Sequence, residues 1–325
     1  MINKNFTLLL SGQLVSQVGD KFHMIALAMW VLKTTGSSAK MGLVLAASLL
    51  PSLILGLFSG AFIDRCNRKN IIVITDLIRG AVIAVFALLF YYDMMSFAWV
   101  LLMQVVLSMN AAFFDPAIPS IIPTIVPREK LASANSKHQF VNGFSTIAGA
   151  FLGGIAVTMF GYIWVFVINA ASFIISGICE CFISLESHRP DGGATVSART
   201  ILMDLRSGYA YIFRNSTLLI LIFMVMVIHF FVGSMEVFMP VIAAALPSGG
   251  ASILGGFHAA LGGGCIVMAF VLSVIDISDR EKTTLFGSVF TIGMLYAAGS
   301  MVNIRGGGAT FFYGSMIFLF GACII

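Results

Sequence analysis

The sequence predicts an all-α, polytopic membrane protein. Three observations predict this class: 59% of the 325 residues are hydrophobic, only 10% are charged, and the mean hydropathy is +1.01. A soluble domain carries about 25% charged residues, so this chain has too few charges to cover a water-exposed surface. The composition therefore excludes a soluble enzyme, a nucleic-acid-binding domain and a disordered chain.

Ten apolar runs are candidate membrane-spanning helices, since one span needs about 20 residues. Gly, Ser and Pro residues with turn propensity separate several of them. The first run is longer than a signal peptide and lacks a clear cleavage site, so we keep it as the first span. The runs cover residues 7–31, 41–63, 71–92, 97–115, 138–159, 161–185, 217–246, 252–277, 284–301 and 309–325.

The basic residues predict a cytoplasmic N-terminus. With this orientation, thirteen of the 18 Lys and Arg residues fall in inside segments and three fall in outside segments. The remaining two, Lys21 and Arg79, lie within spans. Because cytoplasmic loops are enriched in Lys and Arg, the bias sets the direction of every span.

Positions about 215 residues apart resemble each other and predict two pseudo-repeated helix bundles. Asp64 follows the second run as Asp279 follows the eighth, and Asp20 in the first run matches Glu236 in the seventh. A polar stretch separates the halves. We therefore expect bundles over residues 1–185 and 217–325, joined by a cytoplasmic linker over 186–216 that contains an amphipathic helix.

The second bundle is predicted to be incomplete, with about four helices. A second half as long as the first would extend well beyond residue 325, and the final apolar residues carry no flanking charge. A natural span usually ends at an interfacial anchor. The alternative is a protein with ten helices by nature.

Two polar stripes lie at equivalent positions of the repeats. The first run carries Gln13, Gln17 and Asp20 at i, i+4 and i+7, with Ser16 and His23 beside them. The seventh run carries His229, Gly233 and Glu236 at the same spacing. Ionisable groups inside a membrane are costly and usually face a cavity or a partner, so we expect both stripes to face inward.

The loop after the second run resembles a signature of the major facilitator superfamily. Residues 60–69, GAFIDRCNRK, follow the pattern G-x-x-x-D-R-x-x-R-K. Residues 114–117, 131–135 and 204–209 are similar to one branch of that family, the macrolide-efflux-like drug:proton antiporters. The resemblance implies the major facilitator fold, truncated after helix ten, in a plasma (inner) membrane.

The fifth run departs from the pattern that antiporters of this family often carry. In G-x-x-x-G-P-x-x-G-G, Ser145 stands at the first Gly position and Ala150 stands at the Pro position. Gly149, Gly153 and Gly154 match, and they allow close helix packing.

The resemblance also implies a cytoplasmic gate formed by the loop motif. The gating residues are Gly60, Asp64, Arg65, Arg68, Lys69, Asp76, Arg79 and Asp115. Within this gate, Gly60 would permit close approach of two helices. Asp76 would pair with Arg79, and Asp115 would accept a hydrogen bond from Arg68. The alternative is that these charges only fix topology and form one surface ion pair.

In this family, helices one and seven line the central cavity, so the resemblance makes Asp20 and Glu236 candidates for binding a coupling proton. Burial in a medium of low dielectric favours the neutral form of a carboxylic acid. His229 is a weaker candidate. The expected cavity residues are Gln13, Ser16, Gln17, His23 and Gly233. The alternatives place Asp20 near the outer interface and give Glu236 a partner at a helix end.

The resemblance implies proton-coupled export of small amphipathic compounds, such as drugs or secreted metabolites, by alternating access. We expect a monomer in the bilayer, with the substrate and a proton as partners, and no nucleic acid, cofactor or metal. Enzyme motifs and a nucleotide-binding loop are missing from the sequence, so a gradient must supply the energy. The alternatives are a dedicated exporter of one metallophore or peptide antibiotic, and a truncated membrane protein that transports nothing.

Overall fold

Helices account for nearly all of the chain that the structure, a computed structural model, describes. The described residues are 3–63, 66–184, 212–246, 249–274, 281–301 and 308–324, and they contain no strand. The all-α prediction is therefore confirmed. The helices are α1 (Lys4–Thr35), α2 (Ser38–Ile63), α3 (Arg68–Tyr91), α4 (Phe97–Ile125), α5 (Leu131–Phe144), α6 (Ala150–Cys181), α7 (Ser216–Ala245), α8 (Ala251–Val274), α9 (Glu281–Met301) and α10 (Ala309–Ile324).

Side-chain caps set the start of several helices. The side chain of Asn3 accepts from the amide of Phe6 at the start of α1, and Asn67 and Ser96 cap α3 and α4 in the same way. These oxygens satisfy amides that have no partner inside the helix. At the other end of α1, Gly36 adopts a φ of 61°, a left-handed conformation that ends the helix and that glycine tolerates best.

The fifth and sixth apolar runs follow one another without a loop between them, and the helical segment that they form is interrupted at Gly161. A π-helical turn, Ser145–Gly149, joins α5 to α6, and Gly161 interrupts α6 with φ 74° and ψ 179°. The part of α6 before Gly161 completes the fifth run, and the part after it is the sixth. The direction of the helix therefore changes at Gly161, with no separate loop between its two parts.

Length and composition make six described segments suitable for crossing a membrane. They are residues 38–60, 68–91, 97–125, 128–181, 218–245 and 251–268, and the fourth of them contains the break at Gly161. The apolar parts of α9 and α10 are shorter, and α1 carries Asp20 and Lys21 midway. Large apolar side chains stand exposed on the outer faces, as Leu53 (65%) does, which suits contact with lipid.

Contacts between helices build two groups. In the first, α6 packs against α1 and α3, and α2 packs against α4. In the second, α10 packs against α8, and α9 contacts α7 and α10. The first part of α6 contacts α8 and so joins the groups. The boundaries at residues 1–185 and 217–325 stay a prediction, and residues 186–211 of the linker lie outside the described residues.

Candidate functional site

A cavity of about 330 Å³ lies between the two groups of helices. Its walls come from α1, α2, α3, α4, α6, α7 and α8, and eleven of the twenty lining residues are apolar. The polar and charged lining residues are Asp20, Lys21, His23, Ser48, Arg79, Gln104, Ser108, Glu236 and His258. Acids from both groups of helices therefore face one common space.

The first polar stripe reaches this cavity only at its far end. Asp20 and His23 line it, whereas Gln13 and Ser16 are buried one to two turns earlier. Gln17 donates from Nε2 to Asn142 Oδ1 at 2.8 Å, so it faces α5. The expectation that Gln13, Ser16 and Gln17 line the cavity is corrected, because α5 and α6 cover that part of α1.

The second stripe shows the same limitation. Glu236 lines the cavity, but His229 and Gly233 are not among the lining residues. His229 is exposed, with Nδ1 2.9 Å from the carbonyl oxygen of Val225 in its own helix. A Cβ added to Gly233 would meet nothing within 4 Å in the described part of the chain. These two positions lie one to two turns before Glu236 on the same helix face, beyond the residues that line the cavity.

Both acids of the cavity have histidine neighbours. Nε2 of His258, on α8, lies 3.9 Å from Oε2 of Glu236, and this contact ties α8 to α7. His23 lies one turn from Asp20 on α1. Its Nε2 lies 3.3 Å from Oε1 of Gln104. The position of His258 in the sequence does not indicate this contact, because a lone His inside an apolar helix is often satisfied by packing.

Arg79 is held by α4. Its Nε donates to Asn110 Oδ1 at 3.1 Å, its Nη2 lies 3.6 Å from Asp115 Oδ1, and its guanidinium stands 4.1 Å from the centre of the Phe114 ring. The expected pairing with Asp76 is not seen as a direct contact, since neither carboxylate oxygen of Asp76 has a hydrogen-bond partner in the described structure, although the charge of Arg79 acts on that carboxyl group. Asp76 faces α6, where a Cβ on Gly177 would lie 3.6 Å from Asp76 Cβ.

Asp115 likewise differs from the expectation. Its ion-pair partner in the structure is Arg79, which lies eleven residues beyond Arg68 in α3, about 16 Å at 1.5 Å per residue. The pairing therefore forms away from the loop, with the Arg79 side chain 11% exposed and the Asp115 side chain 71% exposed.

The gating motif is only partly described. Asp64 and Arg65 lie outside the described residues. Lys69 donates from Nζ to the carbonyl oxygen of Cys181 at 2.7 Å. This bond gives a partner to one of the last carbonyl groups of α6, which have none within the helix. A Cβ on Gly60 would meet nothing within 4 Å in the described structure, so the close helix approach expected there is not observed. The role of this loop as a gate stays a prediction.

Glycines of the fifth run lie at close helix contacts. A Cβ on Gly149 would lie 3.0 Å from Lys21 Cβ, and one on Gly153 would lie 3.1 Å from Phe22 Cα, both on α1. Gly154 meets the backbone of Ala251 in α8. Small residues let helix backbones touch, so this segment packs on both groups of helices.

The opposing glycine, Gly255, escaped the sequence analysis. A Cβ on Gly255 would lie 2.5 Å from the carbonyl oxygen of Ala150. Nearby, the hydroxyls of Thr158 and Ser252 lie 2.9 Å apart across the same crossing. The two groups of helices therefore meet backbone to backbone at this end of the cavity.

The fold and the cavity define a class of protein. It is a helical membrane protein with a polar site enclosed between two groups of helices, as in transporters. The chain belongs to the Major Facilitator Superfamily, whose family model matches residues 9–325. This confirms the resemblance found in the sequence. Because the family and the relatives are transporters, the expectation that the chain is not an enzyme is also confirmed.

Curated relatives belong to the same family. The chain is 28% identical over 228 residues to the uncharacterized MFS-type transporter YkuC of Bacillus subtilis, covering 68% of this chain and 52% of YkuC. It is 29% identical to the multidrug efflux pump Tap of Mycolicibacterium fortuitum, covering 61% of this chain and 48% of Tap. It is 20% identical to macrolide efflux protein A of Streptococcus pyogenes, covering 87% of this chain and 70% of that protein.

The chain thus spans about half the length of YkuC and Tap. Among solved structures, it resembles a bacterial homologue of the human lysosomal transporter Spinster in an inward-facing, unoccupied conformation. The TM-score is 0.75 at 17% identity, with 100% of this chain and 74% of the other covered. That likeness shows the shared fold.

Proposed function

We propose that this chain carries out proton-coupled export of small amphipathic compounds across a plasma membrane, by alternating access. One observation carries the proposal: Asp20 from α1 and Glu236 from α7 line a single cavity between the two groups of helices. Repeated bundles of this kind bind substrate at their interface, and rocking about that site exposes it to either side.

The carboxyl groups supply the coupling. A carboxylate facing a largely apolar cavity binds a proton readily once water is excluded, and loses it when the cavity opens. Lys21, Arg79 and His258 line the same space, so a bound cation or proton changes the balance of charge there. Because Asp20 and Glu236 belong to different groups of helices, protonation acts on the contact between the groups.

The lining supports an amphipathic substrate. A volume of about 330 Å³ falls within the range of small-molecule sites, about 300–1,000 Å³, which combine apolar walls with a few polar groups. Met24 and Met41 are among the wall residues, and Met side chains adapt to varied ligands. The names of Tap and macrolide efflux protein A point to the same class of compound.

The direction of transport is set by the proposed antiport, and the proposed topology orients the chain for it. With the N-terminus of α1 in the cytoplasm, thirteen basic residues lie inside and three outside. Proton entry from outside then drives the compound outward.

The test is accumulation of fluorescent amphipathic compounds in an efflux-deficient bacterium that expresses this chain. We expect several-fold lower accumulation than with an empty vector, because export opposes passive entry. A protonophore should remove the difference by collapsing the gradient.

Two results would contradict the proposal, provided that the protein is found in the membrane. One is unchanged accumulation across a chemically broad panel. The other is lowered accumulation that survives the protonophore. Lowered accumulation of a single compound would favour a dedicated exporter over a broad one.

A further inference from the structure

A second set of buried polar groups lies inside the first group of helices, away from the cavity. Asp76 on α3 and Ser176 and Glu180 on α6 are all 0% exposed, and Gln13 on α1 is 1% exposed. None of the four lines the cavity. Three helices therefore bring four polar side chains into a space closed to solvent.

Small residues make this close packing possible. A Cβ on Gly12 of α1 would lie 3.0 Å from Ser176 Oγ, and one on Gly177 of α6 would lie 3.6 Å from Asp76 Cβ. Ser176 and Glu180 are four residues apart, so they share one face of α6. This side of α6 therefore contacts Gly12 of α1 and Asp76 of α3.

The two carboxyl groups are short of hydrogen-bond partners. Nε2 of Gln13 donates to one oxygen of Glu180 at 3.3 Å. The other oxygen of Glu180, both oxygens of Asp76 and the hydroxyl of Ser176 make no well-formed hydrogen bond in the described structure, although the hydroxyl of Ser176 lies close enough to act on Asp76. Buried polar atoms are rarely left in this state, and each such atom calls for an explanation.

Nearby positive charge is already engaged. The guanidinium of Arg79 bonds Asn110 and pairs with Asp115 on α4, and the ammonium of Lys69 donates to a backbone carbonyl. The charge of Arg79 still acts on the carboxyl groups of both Asp76 and Glu180, and the group that acts on Asp76 from α1 is another acid, Asp20. The carboxyl groups of Asp76 and Glu180 act on each other directly.

We propose that Asp76 and Glu180 form a second proton-binding site, in which the two carboxyl groups share one proton. Two buried carboxyl groups that act on each other are costly to keep ionised together. One proton, taken from water, supplies the missing donor between them, and the hydroxyl of Ser176 and the amide of Gln13 complete the set. The proton then links α3 to α6 and α1.

This inference rests on the described geometry and does not depend on which compound is transported. It differs from the coupling proposed for Asp20 and Glu236, because those residues face the cavity and this pair does not. A proton held here stabilises the contact of α3 with α6.

The test is infrared spectroscopy of the purified chain in lipid at neutral pH, in the region of the protonated carboxyl stretch. We subtract the spectrum of the Asp76→Asn/Glu180→Gln double variant from that of the wild type. We expect a positive band of about one carboxyl group that shifts in heavy water. The matched control, Glu129→Gln on the exposed turn before α5, should give no band.

Glu180→Gln alone adds a second readout. It keeps the shape of the side chain but removes one of the two acids, so the repulsion that retains the proton is gone and the band should disappear. The proposal is overturned if the wild-type-minus-double difference has no band while both proteins are folded by circular dichroism. A band that persists in Glu180→Gln would contradict the sharing. Neither result depends on transport, so failure here is distinct from failure of the proposed export.

Discussion

Asp20→Asn is expected to abolish uphill transport while leaving membrane insertion and the cavity intact. The amide has nearly the same shape as the acid but binds no exchangeable proton, so a pH gradient cannot act through it. In proteoliposomes with an imposed pH gradient, we expect the initial rate of accumulation of a fluorescent amphipathic amine to fall at least about tenfold, equivalent to about 1.4 kcal/mol. Downhill exchange of the same compound should persist, because the aliphatic walls are unchanged.

The matched control is Glu129→Gln, which changes an exposed acid outside the cavity and should transport normally. If Asp20→Asn accumulates the compound against a gradient at the wild-type rate, Asp20 does not bind the coupling proton. The role would then pass to Glu236, whose carboxylate lies 3.9 Å from His258.

Gly154→Leu is expected to block transport by a different route. The backbones of α6 and α8 meet at Gly154 and Ala251, so a branched side chain at Gly154 forces the helices apart. Alternating access requires that contact to form in one state. We expect the variant to insert into the membrane but to lose export almost completely.

Cross-linking measures the same effect directly. The hydroxyls of Thr158 and Ser252 lie 2.9 Å apart, so a Thr158→Cys/Ser252→Cys pair should cross-link readily and should cease to do so when Gly154→Leu is added. Gly143→Leu is the matched control, because a Cβ there meets nothing within 4 Å in the described structure. Normal cross-linking and export in Gly154→Leu would show that this crossing does not close the cavity.

The repeat in the sequence located the essential features of the cavity. Asp20 and Glu236 occupy equivalent positions of the two halves, and the structure brings both to one space. Such a prediction succeeds because the cost of an ionisable group in a membrane confines it to a polar interior. The helices themselves were equally predictable, because apolar length alone determines where a chain can cross.

Contacts between particular side chains were not predictable. Gln13 and Gln17 share a face with Asp20, yet they meet α6 and α5 rather than the cavity. Spacing along one helix defines a face, but helix crossings decide which neighbour covers each turn of it. For the same reason, the partners of Arg79 on α4 could not be read from its position in α3.

Glu180 illustrates a signal that the sequence did contain. It is an acid inside the sixth apolar run, and the rule that drew attention to Asp20 applies to it equally. Its partner could not have been found, because Asp76 and Glu180 are far apart in the chain and meet only where α3 packs on α6. Gly255 was missed because its requirement for a small residue comes from the backbone of another helix.

The most direct test of coupling is proton movement driven by the compound itself. Purified chain is reconstituted in vesicles that contain a pH-sensitive dye, and a gradient of the amphipathic compound is imposed without any pH gradient. Protons should move opposite to the compound in the wild type, and this movement should disappear in the Asp20→Asn/Glu236→Gln double variant. Movement of the compound through the wild type with no accompanying change in pH would contradict the central claim.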